Sequence, residues 1–249
     1  MQARASDDLK KLITDGVMER GLTYSAAAAF ATPRRLCLSL TGLPDVTPDT
    51  REERKGPRTD APEKALEGFL RSTGLTKDQL EARDDKKGQV WFAVIEKKGA
   101  PAAEVLSEVI EHEIRNFPWP RSMRWGSGDL RWVRPLQSIM AVLIHEANEN
   151  EVVPVSVGDL TSGDTTYGHR FMAPAAFTPS DFDDYTAKLE AAKVVLDPAD
   201  RRDRIWADAT NMAFAQGMEV VEDKGLLAEV AGLVEWPVVL MGDIEEQFL

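Results

Sequence analysis

The chain has 249 residues, a formal net charge of −12, and 43% hydrophobic and 29% charged residues, a balance typical of a globular protein and not of a disordered one. No apolar run approaches the roughly 18 to 20 residues that cross a bilayer, and the N-terminus lacks the apolar core of a signal peptide. These features exclude a membrane-spanning chain, and we expect a cytoplasmic protein with no membrane partner.

Hydrophobic periodicity predicts interleaved helices and strands in the first half of the chain. Apolar residues recur at helical spacing in residues 6–20, 62–74 and 101–116. Residues 35–40 alternate as in a half-buried strand, and residues 89–96 are apolar on both faces, as in a central strand covered by helices. Residues 45–62 are rich in proline and charge, which predicts an exposed loop with a basic cluster formed by Arg54, Lys55 and Arg58.

The second half predicts a hairpin followed by helices. Residues 139–144 and 152–157 read as antiparallel strands around a turn near residues 148–150, and residues 158–174 as a loop. Helices are predicted at 182–192, 205–215 (with Pro198 placed for its first turn) and 226–234, and a terminal strand at 237–241. The predicted class is α+β, with mixed, largely antiparallel sheets and packed helices, in three parts at 1–116, 117–176 and 177–249.

The segment at residues 117–135, called here the Arg/Trp segment, reverses the charge of the chain. From Arg115 to Arg134 there are five arginines, one acid and no lysine, which is a local charge of +4 in an acidic protein. Arginine presents a planar fork to phosphate oxygens, and an exposed tryptophan can stack on an unpaired base. We therefore predict RNA contacts by Arg121, Arg124, Trp125, Arg131 and Arg134, with Arg54, Lys55 and Arg58 as a second contact.

Two other interpretations of these residues stay open. Trp119, Trp125 and Trp132 can be core residues whose neighbouring arginines pair with acids, or the segment can be an interface with another protein, because arginine and tryptophan are enriched at such interfaces. His169 and Arg170, in a glycine-containing loop, are predicted as further RNA contacts, because they can bind phosphate or carboxylate groups; the alternative is a capped turn with a salt bridge.

No motif for catalysis or metal binding is present in the sequence. The phosphate-binding loop, the Gly-x-Ser-x-Gly elbow, His-Glu-x-x-His and Cys-x-x-Cys are all missing, and Gly126-Ser127-Gly128 is better explained as a tight turn. The single cysteine, Cys37, excludes an internal disulfide and fits a buried strand position. The three histidines are too few and too scattered to favour a metal site. The only group that could serve a hydrolytic site is His169 with the nearby Asp164 and Thr166.

Several stretches, in this order, resemble the β subunit of the bacterial heterotetrameric glycine tRNA ligase. They span nearly the whole chain and are Thr32-Pro-Arg-Arg-Leu, Gly56-Pro-Arg, Phe117-Pro-Trp-Pro-Arg-Ser-Met-Arg-Trp-Gly, Arg131-Trp-Val-Arg-Pro-Leu, Thr166-Tyr-Gly-His-Arg-Phe and Leu226-Leu-Ala-Glu-Val-Ala-Gly-Leu-Val-Glu-Trp-Pro-Val. The family's β subunits are longer, continue into an HD-type and an anticodon-binding domain, and begin with an additional strand. The resemblance implies that this chain is an N-terminal portion of such a subunit. Without the additional strand, we expect the uncovered sheet edge either to pair in another way or to lower the stability of the fold.

The resemblance implies a noncatalytic role in glycine charging. The family's α subunit binds glycine and uses ATP and Mg²⁺, so we expect no cofactor and no catalytic residue in this chain. The implied partners are the α subunit, tRNA(Gly) and the remainder of the β subunit. The N-terminal part of such β subunits is similar to the B3/B4 region of the phenylalanine enzyme's β subunit. That region edits misacylated tRNA, but a shared fold does not establish editing here.

Overall fold

A computed structural model describes residues 1–85, 88–145 and 150–244, and it confirms the predicted α+β class. Within these ranges the helices are α1 (Gln2–Glu19), α2 (Glu63–Thr73), α3 (Ala102–Asn116), α4 (Phe182–Ala191), α5 (Pro198–Ala215) and α6 (Lys224–Ala231), with a 3₁₀ turn at Lys77–Gln79. The strands are β1 (Ala26–Ala31), β2 (Leu36–Thr41), β3 (Thr50–Arg58), β4 (Leu80–Asp85), β5 (Gly88–Lys97), β6 (Ile139–Met140), β7 (Val142–Ile144), β8 (Asn150–Val152), β9 (Ser156–Val157), β10 (Leu160–Gly163), β11 (Thr166–Tyr167) and β12 (Ala176–Phe177).

The backbone forms two compact units. One comprises Met1–Asp45 together with the chain from Ala102 onward, and the other is the intervening segment Val46–Pro101. The smaller unit is thus an insertion between β2 and α3. The division into parts at 1–116, 117–176 and 177–249 stays a prediction.

The smaller unit is a three-stranded antiparallel sheet in the order β3-β5-β4, with α2 packed on β3. The central position predicted for residues 89–96 is confirmed by β5. The exposed loop predicted for residues 45–62 is wrong in its core, because β3 pairs along β5 from Thr50 to Arg58. The side chains of β3 are almost all exposed, as in an edge strand. Its sequence therefore lacks the alternation of apolar and polar residues by which a strand is recognised.

In the larger unit, α1 packs on the antiparallel ribbon β1–β2 and against α3. Gly16 permits the close helix contact, since a Cβ at this position would lie 2.8 Å from Val109 Cγ1. The predicted helix at residues 6–20 is confirmed, but it begins four residues earlier. The reason is that Ala5 is buried against the aromatic rings of Phe117 and Trp132.

Two apolar clusters cover opposite faces of the ribbon. Leu36 packs into the cluster of Ala5, Phe117 and Trp132, whereas its neighbour Cys37 packs into a cluster around Leu189. Residues 35–40 are therefore confirmed as a strand, but the side chains of both faces are partly buried, where the alternation predicts one buried and one exposed face. Burial raises the pKa of the Cys37 thiol to about 11, which leaves it a small apolar residue at neutral pH.

The predicted hairpin is confirmed in part, by the antiparallel pairing of β7 with β8. Of its predicted turn only Asn150 lies within the described residues, and it belongs to β8. Each predicted strand is divided in two. Pro154, which has no N–H to donate, separates β8 from β9. β6 and β9 both pair with β10. The loop predicted for residues 158–174 is therefore wrong in part, because it contains β10 and β11.

The three C-terminal helices begin at aspartate caps: Asp181, Asp197 and Asp223 each accept a backbone N–H in the first turn. The predicted helices are confirmed, and α5 starts at Pro198 as expected. The predicted terminal strand at 237–241 is wrong. Val239, Leu240 and Met241 line a groove with α5 and pair with no strand in the described part of the chain.

Candidate nucleic-acid interface

The aromatic residues of the Arg/Trp segment form its base. The ring centroids of Phe117 and Trp119 are 4.5 Å apart, those of Phe117 and Trp132 are 5.2 Å apart, and Trp119 meets Trp132 edge to face at 4.9 Å. Trp132 is only 9% exposed, and Trp119 and Trp125 are half-buried against the same cluster. Such packing fixes the backbone of the segment from below.

A small hairpin-like loop rises from this base. Met123 and Trp132 form an isolated antiparallel bridge, with N–O distances of 2.8 and 3.1 Å in the two directions. Gly126 turns the chain at a φ of 58°, a conformation that glycine adopts without strain. The prediction of a tight turn at Gly126-Ser127-Gly128 is therefore confirmed.

All four arginines predicted to contact phosphate are exposed on this loop and its flanks: Arg121, Arg124, Arg131 and Arg134. Arg124 lies 4.0 Å from Asp129, a wide contact between two exposed side chains, and Arg131 Nε donates to Ser122 Oγ at 3.2 Å. Among the described residues, Arg121 and Arg134 have no ion-pair partner. The guanidinium groups are therefore accessible to an anion.

Arg115 has a different role. Arg115 is one of the five arginines that give residues 115–134 their positive charge, but its guanidinium Nη2 donates to the carbonyl of Ser156 at 3.0 Å. It thereby ties the end of α3 to β9.

The second basic cluster lies on β3 of the smaller unit and is ion-paired. Arg54 Nε lies 2.6 Å from Glu52, Arg58 contacts Asp60 at 2.8 Å, and Lys55 contacts Asp85. All three side chains are exposed. An anion that binds here must displace acidic partners, so the cluster is a weaker electrostatic site than the Arg/Trp segment.

His169 and Arg170 lie in the loop between β11 and β12. His169 Nδ1 accepts the backbone N–H groups of Phe171 and Met172 at 3.3 and 3.2 Å, so this ring closes the loop. Arg170 is exposed, and its Cζ lies 5.2 Å from the Phe171 ring centroid. The structure therefore gives His169 an internal partner and leaves Arg170 open to solvent.

Sequence reasoning missed the ion pair that supports this loop. Arg35 Nη1 lies 2.7 Å from Glu235 Oε1, with the side chains 14% and 2% exposed, and Thr32 Oγ1 donates to the same oxygen at 2.7 Å. The Arg35 guanidinium also donates to the carbonyls of Gly168, at 3.0 Å, and Tyr167. Three stretches that carry the family resemblance, around Thr32, Thr166 and Glu235, thus meet at one place.

A second missed residue, Arg201, is fully buried beside this junction. Its guanidinium donates to the carbonyls of Ala31 (2.8 Å), Val195 (2.6 Å), Leu196 (2.9 Å) and Ala231 (3.0 Å). Burial lowers the pKa of Arg201, and the nearby carboxylate of Glu235 opposes that effect. No periodicity marks such a residue, because arginine at its position in α5 reads as a surface residue.

Another charged cluster surrounds His145, whose Nδ1 lies 3.0 Å from Asp45 and whose Nε2 lies 3.1 Å from Glu151. Hydrogen bonds to Glu151 and Asp45 raise the pKa of the imidazole. Neither this cluster nor any other group of three or more His, Cys, Asp or Glu side chains among the described residues is arranged to hold a metal ion.

The residues considered for hydrolysis form no catalytic arrangement in the described part of the chain. Asp164 accepts the hydroxyl of Thr165 at 2.9 Å, and His169 accepts two backbone N–H groups. No hydrogen bond joins His169 to Asp164 or Thr166. The site thus presents cations and aromatic rings and lacks a general base aligned with a nucleophile.

Comparison with known families identifies the class as a subunit of an aminoacyl-tRNA synthetase. The matching profile describes the glycyl-tRNA synthetase beta subunit and covers residues 1–249. The chain therefore belongs to the glycyl-tRNA synthetase beta-subunit family.

Curated relatives agree with this assignment. The chain is 65% identical, over all 249 residues, to the glycine–tRNA ligase beta subunits of Ruegeria sp. (strain TM1040) and Paracoccus denitrificans (strain Pd 1222), and covers 36% of each. It is 60% identical to that of Dinoroseobacter shibae (strain DSM 16493), covering 34%. The chain thus spans about a third of the length of these relatives. None of the helices in the described ranges has the length and apolarity that a bilayer crossing requires.

Proposed function

We propose that this chain is a tRNA-binding portion of a glycine–tRNA ligase beta subunit. In this proposal it works in the cytoplasm within a heterotetramer, in which the α subunit carries the ATP- and Mg²⁺-dependent attachment of glycine. The observation that carries the proposal is the set of four exposed arginines on a rigid aromatic base, in a chain whose net charge is −12. A local positive surface on an acidic protein directs a polyanion to one face.

The packing of the tryptophans favours contact with the RNA backbone over the reading of bases. Trp132 is buried beneath the loop and is closed to stacking, and Trp125 offers only part of its ring. Arginine contacts to phosphate position a nucleic acid without reading its sequence. The Arg/Trp segment therefore holds tRNA, and Trp125 contributes a partial stacking surface at most.

The paired cluster on β3 adds a smaller contribution. Arg54, Lys55 and Arg58 would each exchange an exposed carboxylate for phosphate. Exposed ion pairs are worth about 0 to 1 kcal/mol, so the exchange is feasible but gains little. Arg170, which has no acidic partner among the described residues, belongs with the stronger contacts.

The test is the salt dependence of binding to a tRNA(Gly) transcript. Replacing Arg121, Arg124, Arg131 and Arg134 together by alanine is expected to reduce the magnitude of the slope of log K against log [salt] by about 3 to 4, because each lost phosphate contact removes released counterions. A control with the same change in net charge replaces four exposed cations outside these clusters: Lys10, Lys64, Arg71 and Arg202. A folded quadruple variant whose slope equals that of the control contradicts the proposal.

A second candidate function, assembly, is favoured by a different surface. Large apolar side chains are exposed on α5, α6, the segment between them and the segment after α6: Phe214, Val221, Leu226, Leu233, Val238 and Leu240. Leu240 also lines a groove of about 250 Å³, together with Met212, Met218 and Met241. Exposed apolar patches of this kind mark interfaces. About two thirds of each relative lies outside the matched part, and we propose that this remainder of the beta subunit covers the surface.

The two surfaces give separable results. Variants of the Arg/Trp segment are expected to lose tRNA affinity and to retain capture of the α subunit and of the rest of the beta subunit. Loss of capture with unchanged tRNA affinity would instead make the segment an assembly surface. An editing activity is the weakest alternative, and incubation with mischarged glycine tRNA is expected to release no amino acid.

A further inference from the structure

The loop between β11 and β12 exposes an unusual group of side chains at its tip. Phe171 is 78% exposed, Tyr167 and Met172 are about half exposed, and Arg170 lies over one face of the Phe171 ring. A lone exposed apolar residue needs no explanation, but an aromatic, a methionine and a cation at one loop tip form a contact surface.

The base of this loop is held firmly. His169 donates its backbone N–H to the carbonyl of Ala192 at 2.8 Å, accepts the N–H of Ala173 at its own carbonyl, and caps two further N–H groups with its ring. Gly168 is buried, and its carbonyl accepts from Arg35, which is fixed by Glu235. The exposed tip therefore stands on an ordered base, and binding to it costs little loop-ordering entropy.

Two further cations follow or precede residues that contact the base of this loop. Arg34 is exposed next to Arg35, and Lys193 follows Ala192, with its Nζ 4.5 Å from the Trp236 ring centroid. Neither these two cations nor Arg170 has an acidic partner among the described residues. Of the nearby acids, Glu235 is buried against Arg35, Glu190 pairs with Arg204, and Asp164 accepts the Thr165 hydroxyl. Because the chain as a whole is acidic, this charge favours an anionic ligand over an apolar protein pocket.

We infer that the Tyr167–Met172 loop is a binding site for an unpaired nucleotide of RNA. The base stacks on the face of Phe171 that Arg170 leaves open, and Arg170 with Arg34 contacts the adjoining phosphates. Bases inside a duplex are already stacked and cannot reach a projecting ring, so the site selects single-stranded RNA. The inference rests on the proposed tRNA-binding function and adds a stacking site that the half-buried tryptophans do not supply.

The experiment measures binding of the full chain to an oligouridine single strand and to a blunt RNA duplex of equal length. Phe171→Ala is expected to weaken oligouridine binding about 5- to 140-fold, because one base–aromatic contact is worth about 1 to 3 kcal/mol. Duplex binding and the salt slope are expected to stay unchanged, since no charge is removed. Phe171→Trp keeps a stacking face and is expected to retain affinity, while Phe171→Leu keeps only apolar character and is expected to lose it.

Three results would overturn the inference: oligouridine affinity unchanged in Phe171→Ala, full affinity in Phe171→Leu, or an equal loss for the duplex. Unchanged RNA binding with weakened binding of the α subunit would make the loop a protein contact. Failure of the tRNA-binding function itself looks different, because the unmodified chain would then bind the tRNA(Gly) transcript no better than an acidic protein without the arginine cluster does.

Discussion

The buried pair between Arg35 and Glu235 gives the sharpest stability prediction, for the substitution Glu235→Gln. The side chain of Glu235 is 2% exposed, and its charge serves both Arg35 and the fully buried Arg201. Glutamine keeps the shape but removes the counter-charge. Glu235 Oε2 has no hydrogen-bond partner among the described residues, so the new amide group gains none there. Breaking a buried pair from one side costs about 3 to 5 kcal/mol.

The chain contains a matched control. Arg204 lies 2.6 Å from Glu190, a separation close to the 2.7 Å of the buried pair, but the two side chains are 41% and 42% exposed. Glu190→Gln is expected to cost less than about 1 kcal/mol, because solvent screens an exposed pair. The comparison isolates burial, since residue types and separation are alike.

Urea unfolding followed by tryptophan fluorescence measures both variants. Five of the six tryptophans belong to the larger unit, so the signal reports chiefly the unit that contains both pairs. A domain of ordinary stability has about 5 to 15 kcal/mol in total, so Glu235→Gln is expected to remove a large part of it. A cost below about 1 kcal/mol at an unchanged m-value, or equal costs in the two variants, would refute the reasoning.

Three further predictions concern other parts of the molecule. Trp132→Ala removes a buried ring from the aromatic base and is expected to cost about 3 to 5 kcal/mol in urea unfolding, and an equal cost for the half-buried Trp125 would contradict this packing. Because the pKa of His145 is raised in the folded chain, its stabilising effect is present below the unfolded value near 6.5 and is lost as the pH rises through the folded value. The urea midpoint of the wild type should therefore exceed that of His145→Gln by more at pH 5.5 than at pH 8.5. A difference in midpoint that does not change with pH would contradict this role of His145. In Gly56→Ala the new Cβ would lie 2.5 Å from the Phe69 ring, so loss of β3 amide protection in hydrogen exchange is expected, and unchanged protection would show that the ring moves aside.

Local signals were sufficient for the helices. Residues 62–74 carry a first-turn proline, an apolar stripe and a terminal glycine, and the structure ends α2 at Gly74 in the left-handed conformation with φ 68°. The helices from Pro198 and near residue 224 were equally readable, because caps and breakers act within a few residues.

Features that depend on partners far away in the chain could not be predicted from the sequence. β3 forms because Thr50 to Arg58 find β5 about forty residues later, and nothing in its charged composition announces that partner. Residues 237–241 have the composition of a strand but meet α5 and no sheet. Arg35 and Glu235 are 200 residues apart, so neither side chain could be recognised as half of a buried pair.

For the Arg/Trp segment, the sequence predicts the exposure of the arginines but not the burial of the tryptophans. Composition located the four arginines that the structure exposes, because a local excess of one charge cannot be buried without partners. The sequence does not show whether the tryptophans are buried or exposed, since their burial depends on Ala5 and Leu36, which are far away in the sequence. The exposed ring is Phe171, which sequence reasoning passed over in favour of its neighbours His169 and Arg170.

The central claim, that tRNA lies on the exposed arginines, is tested most directly by arginine footprinting. The chain is modified with phenylglyoxal with and without a tRNA(Gly) transcript, and each site is quantified by mass spectrometry. We expect protection of Arg121, Arg124, Arg131 and Arg134, and none of the exposed Arg71 and Arg202. Equal modification of the four arginines with and without saturating tRNA would contradict the account.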